Sequence, residues 1–243
     1  DDIVLIDKSF PKSNIQALYV GRRDVEGNAH RDVASYAAKW HGVFGSSEIE
    51  MMAARHYVDT VYGLIFRVPV GGAMMRTDVT ATRLENGEWY TSGIFNIDYG
   101  LSVAQRPMLI FAEYFHNDFG VLKLPPTPAM LPQNLLVRLS RNEIFNVMRD
   151  YVSMGTSYQW HPLWSQNLTA IMNLNDNSKL LITSLNYSPS DYTSLQIGLT
   201  TFFGKLGEEF GGLHVTPSAD PHDRSRAMIG GGTRAFIRFV YFR

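Results

Sequence analysis

The 243-residue chain contains no cysteine, which excludes disulfides and thiolate metal sites. It has no apolar run of about 18 residues or more, so no segment can cross a bilayer as a helix. An excess of either charge is missing as well. Against 22 Lys and Arg stand 23 Asp and Glu, which leaves no basic surface for a polyanion, and nucleic acid is not expected as a partner. No signal peptide begins at Asp1, as in a mature chain or a fragment.

Signatures of chemistry are equally scarce. There is no GxSxG elbow, and the glycine clusters after Val70, around Gly204–Gly212 and at Gly230–Gly232 do not open a helix after a strand, as a phosphate cradle requires. Turns account for them better. The histidines at 30, 41, 56, 116, 161, 214 and 222 form no close pair with metal-ligand spacing. His214, Asp220, His222 and Asp223 are the one polar cluster with ligand chemistry, and a solvated extracellular loop explains it more simply. Neither metal nor cofactor is expected. A Ser/His/Asp triad need not be contiguous, so a barrel-embedded lipid hydrolase is a remote alternative, but no particular serine and histidine stand out. The chain is not expected to be an enzyme.

What the chain does have is alternation. From Thr156 to Gly204 it reads as successive β-hairpins. In Ser190–Gly204 the residues Thr193, Leu195, Ile197, Leu199, Thr201 and Phe203 fall on one side of the pleat, and Ser194, Gln196, Gly198 and Thr200 on the other. Leu181, Thr183, Leu185 and Tyr187 oppose Ser184, Asn186 and Ser188 in the same way. Gln166, Leu168, Ala170, Met172 and Leu174 oppose Ser165, Asn167, Thr169, Asn173 and Asn175, with Ile171 out of step. The connections are rich in Asn, Asp, Ser and Pro, which favour turns.

Earlier stretches follow suit. Asp59–Val70, Ala73–Leu84, Trp89–Val103, Pro107–Asn117 and Tyr151–Trp160 read as strands. Glu85-Asn86-Gly87-Glu88 predicts a tight primed hairpin turn. Ile3–Ile6 and Ile15–Arg23 are shorter strand candidates, followed by a polar loop over 24–32. Val33–Trp40 and Glu48–Arg55 fit strand or helix, because MMAARHY has helical propensity. Long loops are expected near 118–134, where prolines bar a helix interior or a paired strand, and near 205–227. Leu135–Met148 suits a strand or a short helix, with Ser140 and Glu143 as a capping box.

These segments add up to one all-β domain over 1–243. The predicted fold is an antiparallel transmembrane β-barrel of about 12 strands, each about ten residues long as a tilted crossing needs. An odd count would instead suggest that N-terminal strands are missing. Mean hydropathy is −0.12, which a barrel permits because alternating strands average out.

The segments LIFAEYFHNDFG and GTSYQWHPLWSQNLTAIMNLNDNSKLLITSLNYSPSDYTSLQIGLTTFFG, followed by EEFGG and a terminal aromatic strand, resemble porin-like outer-membrane β-barrel proteins of Gram-negative bacteria, most of them uncharacterised. The likeness covers about the last two thirds of the chain. It implies a barrel and a location in the cell outer membrane, and it carries no functional residues with it. The chain departs from that pattern in a shorter N-terminal part and in Arg243 after the aromatic Phe242.

Within the alternating runs stand Arg67, Arg76, Asp78, Asp98 and Glu113, and Arg238 interrupts the last strand. An Arg at mid-bilayer on the lipid side costs about 2–4 kcal/mol, so these six are expected to face the lumen. There they either line a pore that favours polar solutes or pair into a plug of salt bridges. The expected function is a porin-like channel, or a barrel scaffold, for small polar solutes. Its partners would be outer-membrane lipid together with other envelope proteins or further copies of the chain. The alternative is a soluble secreted β-sandwich or lipocalin-like binder that packs the same apolar rows inward.

Overall fold

Period-two alternation organises nearly the whole chain. The computed structural model describes residues 2–23, 26–214, 228–229 and 231–241. In chain order the strands are β1 (Asp2–Phe10), β2 (Ser13–Arg23), β3 (Ala29–Phe44), β4 (Ser47–His56), β5 (Asp59–Val70), β6 (Ala73–Arg83), β7 (Trp89–Val103) and β8 (Arg106–Asn117). The helix α1 (Gln133–Ser140) comes next, then β9 (Asp150–His161), β10 (Trp164–Asn173), β11 (Lys179–Ser190) and β12 (Thr193–Phe203). A two-residue ribbon, β13 (Leu213–His214) with β14 (Met228–Ile229), precedes β15 (Thr233–Tyr241). The fold is all-β, with 13 antiparallel strands in one sheet ordered as in the chain, β1 to β12 followed by β15. Among the described residues β1 has one strand neighbour, β2, and β15 has one, β12.

Connections alternate in length. Two-residue turns occupy 11–12, 45–46, 71–72, 104–105, 162–163 and 191–192. The intervening connections, apart from 57–58, are longer: 24–28, 84–88, 118–149, 174–178 and 204–232. In an antiparallel order, alternate connections share one end of the strands, so each unit described below has a short-turn end and a long-connection end.

Some local expectations change. Val33–Trp40 and Glu48–Arg55 are both strand, because pairing of β4 with β3 and β5 outweighs the helical propensity of MMAARHY. The Asn86-Gly87 turn is not primed. Gly87 N donates to Leu84 O at 2.9 Å and only Gly87 has positive φ, 89°, a type I turn followed by a left-handed residue. The loop expected at 118–134 runs on to 149 and carries α1. Ser140 is the last residue of that helix, and its Oγ donates back to Val137 O at 2.8 Å, so it does not cap an N-terminus. Pro132 occupies the N-cap instead. The described part of the 205–227 loop holds a 3-10 turn, Glu209–Gly211, and β13. Asp220, His222 and Asp223 lie outside the described residues, as does the side chain of His214.

The chain divides into two compact units, Asp1–Ile97 with His116–Asp118, and Asp98–Phe115 with Phe119–Arg243. In the first, Ala34 is the only buried apolar side chain of the sheet among the described residues. The buried cluster belongs to the second, where Phe119, Leu131, Leu135, Met148 and Tyr151 gather. About half of the large apolar strand residues in each unit are exposed.

Candidate functional site

Strand registers sort the side chains of the first unit onto two faces. Tyr19, Tyr36, Arg55, Thr60 and Arg83 align across β2 to β6, as do Ile15, Trp40, Met51, Leu64 and Val79. This face also carries Phe10, Phe44, Tyr62 and Phe66, all exposed. Its described charges, Asp2, Lys8, Arg23, Arg55 and Arg83, lie within three residues of a strand end.

The opposite face is ionic. Gln16 pairs with Lys39, His41 with Glu50, Glu48 with Arg67, Arg67 with Arg76, and Ile65 with Asp78. Lys39 Nζ stands 3.1 Å from Glu50 Oε2, Arg67 Nη1 stands 3.1 Å from both Glu48 Oε2 and Glu50 Oε1, and His41 Nε2 is 3.6 Å from Glu48 Oε2. Arg76 Nη1 donates to Asn96 Oδ1 at 3.2 Å, which carries the row onto β7. Asp7 accepts from Asn14 at 2.7 Å and from Gln16 at 2.5 Å at the other margin. Diagonal and directly opposed side chains of a sheet lie within reach of one another, so three ion pairs lock one ladder over β3, β4 and β5.

Of the six residues expected to face the lumen, Arg67, Arg76 and Asp78 share this polar face. Asp98 and Glu113, in the second unit, are half-buried, and Arg238 is exposed. Arg238 lies opposite Gln196, and Arg234 opposite Thr200. Sequence reasoning passed over Lys39, His41, Glu48 and Glu50. Their parity was readable only once β3 and β4 were known to be strands.

In the second unit Leu168, Leu181, Leu199 and Ile237 fall on the apolar side, and Asn167, Ser184, Gln196 and Arg238 on the other. Gly198 gives the ring of Phe236 room, since a Cβ there would meet Phe236 Cε1 at 2.0 Å. A cleft of about 580 Å³ is lined by Ser102, Ser157, Gln159 and Ser165 among others.

Aromatic residues mark the strand ends of the apolar faces. Trp89 opens β7 and stacks at 6.2 Å on Tyr62, while Trp40 lies over Gly42 toward Phe44, 6.1 Å away. Trp164 opens β10 and stacks on Tyr187 at 4.2 Å, and Trp160 sits 5.4 Å from Tyr158 near the end of β9. All four tryptophans are on apolar faces. Amphipathic rings favour the boundary between hydrocarbon and water.

Two polar networks lie at long-connection ends. Ser35 Oγ is 3.0 Å from His56 Nδ1, a pairing that no local sequence signal marks. The same Oγ accepts from Arg22 Nη1 at 2.8 Å and from Tyr57 N at 3.4 Å, and Arg22 stacks on the Tyr57 ring at 3.7 Å. With two donors on it and 9% exposure, this hydroxyl ties strand ends to the 57–58 turn. Asp118 accepts from Thr91 N at 2.9 Å and lies 3.1 Å from His116 Nε2. Burial raises its carboxyl, but Thr91 and His116 outweigh that and hold it below the usual range. Among the described residues no three His, Asp or Glu side chains gather as a metal site.

No family model, curated protein or solved structure matches the chain.

Proposed function

We propose that this protein is an outer-membrane β-barrel of a Gram-negative envelope, acting as a porin-like channel or barrel scaffold that passes small polar solutes along its ionic face. The observation that carries the reading is the segregation of charge. In the first unit every described mid-strand charge lies on one face, and the other face offers lipid a surface of exposed Ile, Leu, Met, Phe, Tyr and Trp. In hydrocarbon that division avoids the cost of a lipid-facing charge. A soluble sandwich would instead cover the apolar rows with a second layer. Alternating short and long connections and aromatic strand ends support the same reading. A barrel also needs a pairing partner along both outer strands, because lipid satisfies no open row of backbone donors and acceptors. No chemistry is assigned to the site; width and charge set its selectivity.

Planar-bilayer recording of the purified chain tests this. Ohmic conductance steps are expected, with a reversal potential in a salt gradient that moves when Arg76 and Asp78 are made neutral. Recovery as a buffer-soluble monomer without detergent, or silence at every voltage of the chain and of a variant lacking residues 122–145, overturns the channel.

A further inference from the structure

We propose that residues 119–149 form an internal plug on the polar face of the second unit, and that the buried carboxylate of Glu209 is its latch. This rests on the channel reading, in which the polar face is the inner one.

The segment does not extend away from the strands. Leu135 on α1 is fully buried, Arg138 on the same helix is 6% exposed, and Phe119, Leu131 and Met148 are buried with them. Arg138 stacks on the Phe119 ring at 3.9 Å. Val121 bridges Met148, and Arg149 Nε donates to Gly120 O at 3.1 Å, which closes the two ends of the segment on each other. Gly120 is needed there, since a Cβ would meet Met148 O at 2.3 Å.

The segment is fastened to the sheet through polar-face residues. Tyr151 lies 6.0 Å from Phe115 and 6.3 Å from Phe210, and Phe210 lies 6.5 Å from Phe202. Inside this aromatic group Glu209 gathers three donors from three places. Val147 N, at the end of the segment, donates at 2.8 Å, Asn173 Nδ2 on β10 at 2.6 Å, and Tyr151 Oη on β9 donates to the same carboxylate. The Tyr151 hydroxyl also accepts from Met148 N at 2.8 Å. Glu209 itself is pinned through its N–H to Asp176 Oδ2 at 2.7 Å. One side chain therefore joins segment, β9, β10 and the 205–212 connection. Buried donors left without an acceptor are costly, so the latch holds while Glu209 is present.

Glu209→Ala is compared with wild type and with Glu208→Ala in two assays on the full chain in detergent or bilayer. Trypsin cleavage after the exposed Lys123 or after Arg141 is expected to speed up by roughly tenfold or more in Glu209→Ala alone. Conductance is expected to rise, or to flicker between levels, in the same variant, and replacing 122–145 by a short linker should give the larger step permanently. If cleavage is unchanged by Glu209→Ala, the latch is wrong. If the wild type conducts and the linker variant conducts no better, the plug is wrong and the channel stands. If no variant conducts, the channel reading falls and the plug falls with it.

Discussion

Arg67 and Arg76 lie directly opposite each other on β5 and β6. Like charges in register destabilise a sheet, and here Glu48 and Glu50, each 3.1 Å from Arg67, offset the repulsion. The pairs are partly solvent-exposed, so each contributes only about 0.2–1 kcal/mol to stability. Their larger effect is on the local field.

Changing Glu48 and Glu50 together to Gln should therefore leave the chain folded and turn the ladder cationic. In a salt gradient the reversal potential is expected to move toward the anion by a few-fold change in permeability ratio, about the effect of removing two lumen charges. Measured reversal potentials that coincide with wild type would remove the ladder from the conduction path.

The four tryptophans should sit at membrane depth. In bilayers with bromine on the acyl chains, the larger part of the tryptophan emission is expected to be quenched, most strongly by bromines near the headgroups. Loss of quenching on replacing Trp89 or Trp160 by Phe locates each ring. Emission indifferent to brominated lipid would contradict a lipid-facing apolar side.

Ala104 and Gln105 form the β7–β8 turn with φ of 49° and 62°, both left-handed. Neither residue favours that region, so Ala104→Asn with Gln105→Gly should stabilise the protein by about 1 kcal/mol. The check is the urea midpoint of the refolded chain. An unchanged or lower midpoint would mean the turn is not strained.

Burial pushes the Glu209 carboxyl above its ordinary range and outweighs its donors Tyr151, Val147 and Asn173, while Asp176 raises it further. A carboxyl whose folded pKa is raised binds its proton more tightly in the folded protein. Its stabilising contribution is complete below the ordinary glutamate value of about 4.3 and is lost as pH rises toward the raised one. Trypsin resistance of the 119–149 segment should thus weaken as pH climbs through that window, and Glu209→Gln should flatten the trend. A wild-type profile identical to that of the Gln variant would exclude Glu209 as the titrating group.

Much of the architecture is legible in the sequence where alternation runs unbroken. The strands β5 to β8 and the hairpins between Thr156 and Gly204 lie close to their expected bounds, because turn residues bound each run and, in β10 and β12, an apolar row faces a mostly small polar one. The strands β3 and β4 are less legible, since Ala53, Ala54 and the methionine pair suit a helix and only their neighbours make them strands. The site was half visible. Arg67, Arg76 and Asp78 stand out as charges inside clean strands, whereas Lys39 meets Glu50 only through the register of two hairpins. Glu209 is invisible to local reading, because its partners come from positions 147, 151 and 173, far from it in the chain.

The aromatic rows also fix a thickness. On β3, Tyr36 lies in the row of Arg55 and Phe44 in the row of Ser47, so the apolar stretch between them covers eight steps of about 3.4 Å, or roughly 27 Å along the strand. Under the proposed barrel reading, tilted by about 40°, it would span roughly 21 Å of hydrocarbon. Under that reading a sheet of this height would match a thin bilayer and be short for a thick one, so the rings at Tyr36, Tyr62 and Trp89 and those at Phe10, Trp40 and Phe44 would act as a gauge of the membrane that suits the chain.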